Sequence, residues 1–485
     1  MERTAALVLT LIALPAIAGC LSGDGGSDAG TPTPVSTTPA PPPVVELVEP
    51  TLLAPVRLGR ADVGAEPNIA VAPDGTIYVS TPLYLWRSSD GGLSYEAIGT
   101  PTCDTTALGL VQPPDEACPP GWESADSGLV GGGDGDLAID ATGRLHWLGL
   151  DLQGGPIPYQ SSDDRGDTWT EPVDLSNETG SDREWIDARP EGTLYSSWRD
   201  SDEGGIIAVR TSFDHGETWG ERRTMSADAV GGPIVHGPVP GQAVEAMATF
   251  SSGGLAGPGN AKVQLAVTEN HGVNWTVHDV FTPPQSAQTG LIGFPISIFP
   301  VAAVDDAGTI YVVFSADQQL LPAAVPKIAS RFGVFLTAST NGGSNWTAPV
   351  LLSNPDHAAI MPWIVAGAPG RIAVAWYENT AGLPHDNLPD VWNVMFYQGV
   401  GADGTTQDEA HVRAQLNTEP IHAGSICTSG TGCLITAGDR SLLDFFEVAI
   451  TPTGLPVVAW AARADVPTLS ATVYAGGVAA GTPLR

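Results

Sequence analysis

Lysine is almost missing from this chain. Its 485 residues include two, Lys262 and Lys327, and 20 basic residues face 54 acidic ones, for a net charge of −34. Phosphate backbones are gripped by cations, so this balance points away from a nucleic-acid partner. Methionine is also scarce, at five residues, and no stretch sustains the periodicity of a long amphipathic helix. With 58 glycines and 42 prolines present, what remains is an all-β, turn-rich fold. Apolar runs long enough to cross a bilayer are lacking throughout.

The one marked apolar run, residues 7–17, is too short to span a membrane and reads as the core of an export signal. It ends in Ile17-Ala18-Gly19-Cys20, which resembles the lipobox of prokaryotic lipoproteins. That resemblance implies cleavage after residue 19, lipid on Cys20 and a protein anchored to the membrane, facing outside. Residues 20–50 are rich in Gly, Ser, Thr and Pro, cannot bury a core, and read as an extended tether. Residues 51–485 then form the folded domain. Its four cysteines fall into two close pairs, Cys103 with Cys118 and Cys427 with Cys433. In an exported chain an even set of this kind reads as two disulfides. Zinc would need further His or Cys at ligand spacing, which neither pair has.

Two repeats organise the domain. The first is an octapeptide: SSDGGLSY at 88–95, SDDRGDTW at 162–169, SFDHGETW at 212–219, TENHGVNW at 268–275 and STNGGSNW at 339–346. Asp or Asn caps the turn, Gly supplies a positive φ, and the closing aromatic folds into an apolar layer. The pattern resembles the Asp-box, or bacterial neuraminidase repeat, of sialidase-like β-propellers. The second repeat is a hairpin of two apolar strands around an Asp, Pro or Gly turn, at 69–78, 137–147, 186–198, 301–314, 364–376 and 448–460, with a degenerate copy at 234–250. Seven hairpins predict seven four-stranded antiparallel blades, with six as the alternative because sialidases proper resemble six-bladed rings. The last blade lacks an outer strand. Residues 54–58 (APVRL) resemble the outer strands at 171–175 and 348–352, so they are predicted to close the ring.

Blade geometry sorts the remaining residues. Strand A of each blade lies innermost, and D-to-A and B-to-C connections share one face, where the long loops lie. Polar residues gather there: Glu66, Asp134, Asp136, Asp182, Arg183, Glu184, Trp185, His357, Trp363, Asp439, Arg440 and Asp444, with Arg199, Tyr377, Glu378 and Arg463 at strand B ends. The resemblance implies one reading. Arg183, Arg440 and Arg199 would clamp an acidic sugar, Tyr377 and Glu378 would serve as nucleophile and partner, and Asp182 or Asp439 would be the acid. Glu184, Trp185, His357, Trp363 and Asp444 would complete a binding surface. The other reading is that the Asp-Arg pairs brace the loops and the face binds an extracellular glycan or surface protein. The departures favour binding: no Arg-Ile-Pro occurs, and Tyr377 and Glu378 are strand neighbours whose side chains point apart. A purely structural surface spacer is the third class. No cofactor is implied, although residues 131–140 (GGGDGDLAID) offer oxygen ligands suited to Ca²⁺. A monomer is expected.

Overall fold

The computed structural model describes residues 47–59, 66–81, 84–98, 134–150, 156–176, 180–249, 262–282, 299–318, 332–379, 391–402, 410–427, 439–463 and 471–485. All belong to the unit that begins at Val45. The signal, Cys20, most of the tether, and Cys103, Cys118 and Cys433 lie outside them. Cys427 is described and is disulfide-bonded.

Seven antiparallel sheets form a seven-bladed β-propeller. Each hairpin of the second repeat supplies strands A and B of one blade. The inner strands are Asn68–Val71, Gly135–Ile139, Ser181–Ala188, Ala229–His236, Val301–Val304, Ala358–Ala366 and Glu447–Ile450, for blades 1 to 7. Blade 6 carries an extra short strand, His422–Ala423, paired with Val391–Val400.

The ring closes by mixing the two ends of the chain. Thr51–Leu58 pairs antiparallel with Ala471–Ala480, placing Val56 opposite Ala475 and Leu58 opposite Val473. Closure removes pairing edges that would otherwise be exposed. The C-terminal residues add a strap. The Leu484 N–H donates to the Gly454 carbonyl in blade 7 at 2.7 Å, and its own carbonyl accepts from Ala368 N–H in blade 6 at 2.6 Å. Arg371 Nη1 donates to the Pro483 carbonyl, and Val48 N–H donates to Thr482 Oγ1, both at 2.8 Å.

Core packing runs between blades as much as within them. Leu58, Val457, Val473 and Ala475 of blade 7 pack with Ile69, Val79 and Trp86 of blade 1. Trp147, Trp185, Trp198, Trp376, Trp392 and Trp460 are fully buried. Each contributes up to about 3 kcal/mol through the apolar area it removes from water.

The octapeptides are the C-to-D turns of blades 1 to 5, and all five use one bonding scheme. In the second, Asp164 Oδ1 accepts from Ser162 Oγ and Thr168 N–H, both at 2.8 Å, and Oδ2 accepts from Thr168 Oγ1 at 2.6 Å. Ser162 Oγ in turn accepts from Gly166 N–H at 2.8 Å. Asp90 and Asp214 repeat the scheme, and Asn270 and Asn341, with a single acceptor oxygen, keep all of it but the Oδ2 bond. The closing ring packs into the wedge between blades, as where Trp219 meets Tyr159 edge-on at 5.0 Å.

Candidate functional site on the axis

In an antiparallel meander, A-to-B and C-to-D turns share one face, and D-to-A and B-to-C connections share the other. The octapeptides therefore sit opposite the face where the chain enters each inner strand. Those entries are irregular in a shared way. In blade 3 the pairing steps from Asp182–Arg199 to Trp185–Ser197, which leaves Arg183 and Glu184 as a bulge. Blade 6 has the same step between Ile360 and Trp363, and blade 4 between Gly231 and Ile234. Arg183 and Met361 both have φ of 54°, and Glu66, at the same position ahead of blade 1, has φ of 59°. A left-handed backbone at a residue with a Cβ costs about 1 to 2 kcal/mol, so these entries are held open by their surroundings.

The strained backbone aims Arg183 toward the axis. Its Nη2 donates to Asp444 Oδ2 at 2.7 Å, while Arg440 Nη1 donates to Asp444 Oδ1 at 2.5 Å. Asp444 is buried, and its own N–H donates to Glu66 Oε1 at 3.0 Å. Glu66 is hydrogen-bonded in turn to the Asp134 carboxyl. Two carboxyls that share a hydrogen bond need a proton between them. Asp136 accepts from the N–H of Ile186 and of Leu137, both at 2.7 Å, which ties blade 2 to blade 3. Glu447 ties blade 7 to blade 1 in the same way, accepting from Ile69 N–H at 3.0 Å and from Asn68 Nδ2 at 3.1 Å.

The electrostatics follow from burial. Burial, reinforced by Asp134 and Asp444, pushes the Glu66 carboxyl well above its ordinary range. Burial and the nearby Asp134 do the same to Glu184. Burial raises Asp134, and raises Asp136 to about 7 despite its two amide donors. Asp444 moves the other way: burial works against its charge, but Arg183 and Arg440 outweigh it and hold the carboxylate ionised. Burial likewise opposes the charge on Arg183, yet Asp444, Asp182 and Asp134 keep it firmly protonated.

The other half of the axis is aromatic. Trp185 packs on Phe445 at 5.1 Å, on Phe299 at 5.4 Å and on Trp363 at 5.9 Å. All four rings are buried, and the Arg183 guanidinium lies over Phe299 at 5.4 Å. Trp185 and Trp363 therefore pack against other rings in the core rather than standing free as stacking platforms.

The structure thus brings Arg183, Arg440 and Asp444 together, with Asp182 at the margin, its side chain 45% exposed and 3.9 Å from Arg183 Nε. It does not bring Arg199 to them: that guanidinium donates to the Ala229 carbonyl at 3.0 Å and to Ser201 Oγ at 2.5 Å. Tyr377 is buried, and its hydroxyl accepts from Ala461 N–H in blade 7 at 3.1 Å. Glu378 points elsewhere, bonded to His357 Nδ1 at 2.6 Å and Trp376 Nε1 at 2.8 Å. Asp439 accepts from Ser441 Oγ at 2.7 Å, and its carbonyl takes Cys427 N–H at 2.8 Å. Within residues 131–140, Asp140 bonds the A-to-B turn at Thr142, with His215 Nδ1 2.6 Å away. Among the described residues, no three His, Cys, Asp or Glu side chains are placed to hold a metal ion.

Sequence reasoning missed Phe299, Phe445 and the bonded pair of Glu66 with Asp134. A signal for them exists. Counting back from the turn glycines Gly75, Gly143, Gly192, Gly241, Gly308, Gly370 and Gly454 aligns the inner strands. One ring then reads Glu66, Asp134, Arg183, Gly232, Phe299, Met361 and Phe445, and the ring two residues on reads Asn68, Asp136, Trp185, Ile234, Val301, Trp363 and Glu447.

No protein-family model matches this chain, and no curated protein does. Several solved structures are similar to it. A Dyadobacter fermentans protein of unknown function is 12% identical with a TM-score of 0.46, over 89% of this chain and 99% of that one. A GH74 xyloglucanase from Xanthomonas campestris is 13% identical with a TM-score of 0.43, over 87% and 55%. A Hadza microbial sialidase is 17% identical with a TM-score of 0.38, over 64% and 63%. Identities this low do not bear on activity.

Proposed function

We propose that this chain is an exported, lipid-anchored surface protein whose propeller binds an extracellular glycan or protein ligand at the face of the D-to-A and B-to-C connections. The observation that carries the reading is the internal pairing of Arg183 and Arg440 on Asp444. An arginine clamp for an acidic sugar needs forks left open for the incoming carboxylate. Here Asp444 already takes a bond from each, so an incoming carboxylate would meet a resident anion between the two guanidiniums. Arg199, Tyr377 and Glu378, which a hydrolase of the sialidase type would need free, also have partners within the protein. Binding needs none of them released, and loops carried on a rigid scaffold are where binding commonly lies.

The test pairs a glycan array with a fluorogenic sialoside, both read on the full chain. The expected result is retention on the array with no release of fluorophore. Turnover of the sialoside that Arg440→Ala abolishes would overturn the binding reading in favour of the hydrolase. Neither binding nor turnover would leave a structural spacer.

A further inference from the structure

Two of the five octapeptide turns carry a side chain that the turn does not use. At the seventh position Ser94, Thr168 and Thr218 donate through Oγ to the Oδ2 of the capping Asp, each at 2.6 Å. In blades 4 and 5 the capping residue and the seventh residue are both Asn: Asn270 with Asn274, and Asn341 with Asn345. Asn274 and Asn345 enter the turn through the backbone, each N–H donating to the capping Oδ1 at 2.9 Å. Both residues are exposed, and among the described residues neither carboxamide has a hydrogen-bond partner. The bonding of the turn therefore does not account for either asparagine.

Each is followed by Trp and Thr, giving Asn274-Trp275-Thr276 and Asn345-Trp346-Thr347. Asn-x-Ser/Thr is the acceptor for N-linked glycans in exported chains. The demand for Ser or Thr means that a hydroxyl is recognised along with the carboxamide. The fold has its own use for one of these hydroxyls. Thr347 Oγ1 accepts from Ala338 N–H at 3.0 Å, as Thr170 Oγ1 accepts from Ser161 N–H in blade 2. Thr276 differs: it is exposed, and among the described residues its hydroxyl has no partner. Asn274 is also flanked in the chain by Val273 and Val277, which are 47% and 39% exposed. Apolar surface gains from being covered, and the C–H face of a sugar ring can cover it. The remaining tripeptide of this kind, Asn177-Glu178-Thr179, lies outside the described residues.

We propose that Asn274 carries an N-linked glycan, on the C-to-D turn of blade 4 and so on the face opposite the ligand-binding one. Modification there rests on the chain being exported, as proposed above. The donor is an oligosaccharide linked to a polyprenyl phosphate. Asn274 Nδ2 forms a bond to the sugar C1 as the bond from C1 to the phosphate oxygen breaks. The polyprenyl phosphate leaves with that electron pair, and one carboxamide proton goes to solvent. Asn345 is the poorer acceptor, because the Thr347 hydroxyl is engaged. A glycan on Asn274 shields Val273 and Val277 and leaves the opposite face clear.

Peptide mass spectrometry of the full chain, recovered separately from the envelope and the cytoplasm of its own cells, tests it. The expected result is an envelope protein whose Asn274 peptide is raised in mass by whole sugar residues, with higher occupancy at Asn274 than at Asn345. Asn274→Gln and Thr276→Val should each abolish that shift, and Thr276→Ser should keep it. Should Asn274→Gln not fold, Thr276→Val removes the acceptor with Asn274 still in place. Envelope protein with a bare Asn274, occupancy higher at Asn345, or a shift that survives Thr276→Val would overturn the proposal and leave export standing. Protein confined to the cytoplasm would overturn export, and this assignment with it.

Discussion

Arg183 and Asp444, 261 residues apart in sequence, are joined at 2.7 Å, so that blade 3 is tied to the segment entering blade 7. Arg440 takes the second oxygen of the same carboxylate. One buried anion therefore holds two cations that belong to different parts of the ring. The arrangement has direct consequences for stability.

Removing the shared anion should be worse than removing either cation. Asp444→Ala leaves two nearly buried guanidiniums without their common partner, and stranding a buried charge costs about 3 to 5 kcal/mol. Arg440→Ala leaves Asp444 still paired with Arg183 and should cost clearly less. Urea unfolding of the two variants gives the comparison, and equal midpoints would refute the shared-anion account.

Stability should fall as pH rises. Glu245 is fully buried, and burial raises it to about 8 despite the neighbouring Ser197 hydroxyl, while Asp136 rises to about 7. An unfolded carboxyl titrates near ~4. A group raised in the folded state contributes stability below the unfolded value and loses it as pH climbs through the folded one. The window is therefore from about 4 to about 8. Glu245→Gln should stabilise the protein by on the order of a few kcal/mol at pH 8 and change little at pH 4. Melting curves across that range read both ends.

The C-terminal strap should matter more than its length implies. Leu484 is fully buried, and the carbonyls of Thr482, Pro483 and Leu484 accept from Gln398, Arg371 and Ala368. Leu484→Ala should cost about 2 to 5 kcal/mol. Hydrogen exchange should locate the loss where Leu484 bridges Gly454 of blade 7 and Ala368 of blade 6, and in the adjoining pairing of Thr51–Leu58 with Ala471–Ala480 within blade 7.

Two turn glycines separate backbone strain from collision. Gly91 has φ of 76° with open space where a Cβ would stand, so Gly91→Ala should cost about 1 kcal/mol. Gly216 has φ of 84°, and a Cβ there would overlap the Tyr159 hydroxyl. Gly216→Ala must therefore also displace a ring buried between blades 2 and 3 and should cost several times more. Thermal unfolding of the pair distinguishes them.

Much of the architecture was legible in the chain because its signals are short-range. The Asp164 turn is specified by residues within four positions of one another, and so is each of its relatives. The A–B hairpins advertise themselves by apolar alternation around a glycine. Even closure was readable, since Ala54–Leu58 carries the same pattern as the outer strands it stands in for. The site was legible only as a set of positions. Asp182, Arg183, Arg440 and Asp444 stand out for preceding inner strands, but nothing local says which carboxylate meets which guanidinium.

What the sequence determined by itself was a repeating blade, seven times over, because each hairpin is folded by its own turn residues and its own apolar faces. What the tertiary structure decided was the state of the axis. Ring closure brings seven strand entries to one place, and only there do Arg183 and Arg440 find a common Asp444 and Trp185 find Phe299 and Phe445. Except for Arg440 with Asp444, those meetings join residues more than a hundred positions apart, and burial together with the charges it brings close, which no local pattern records, sets their protonation.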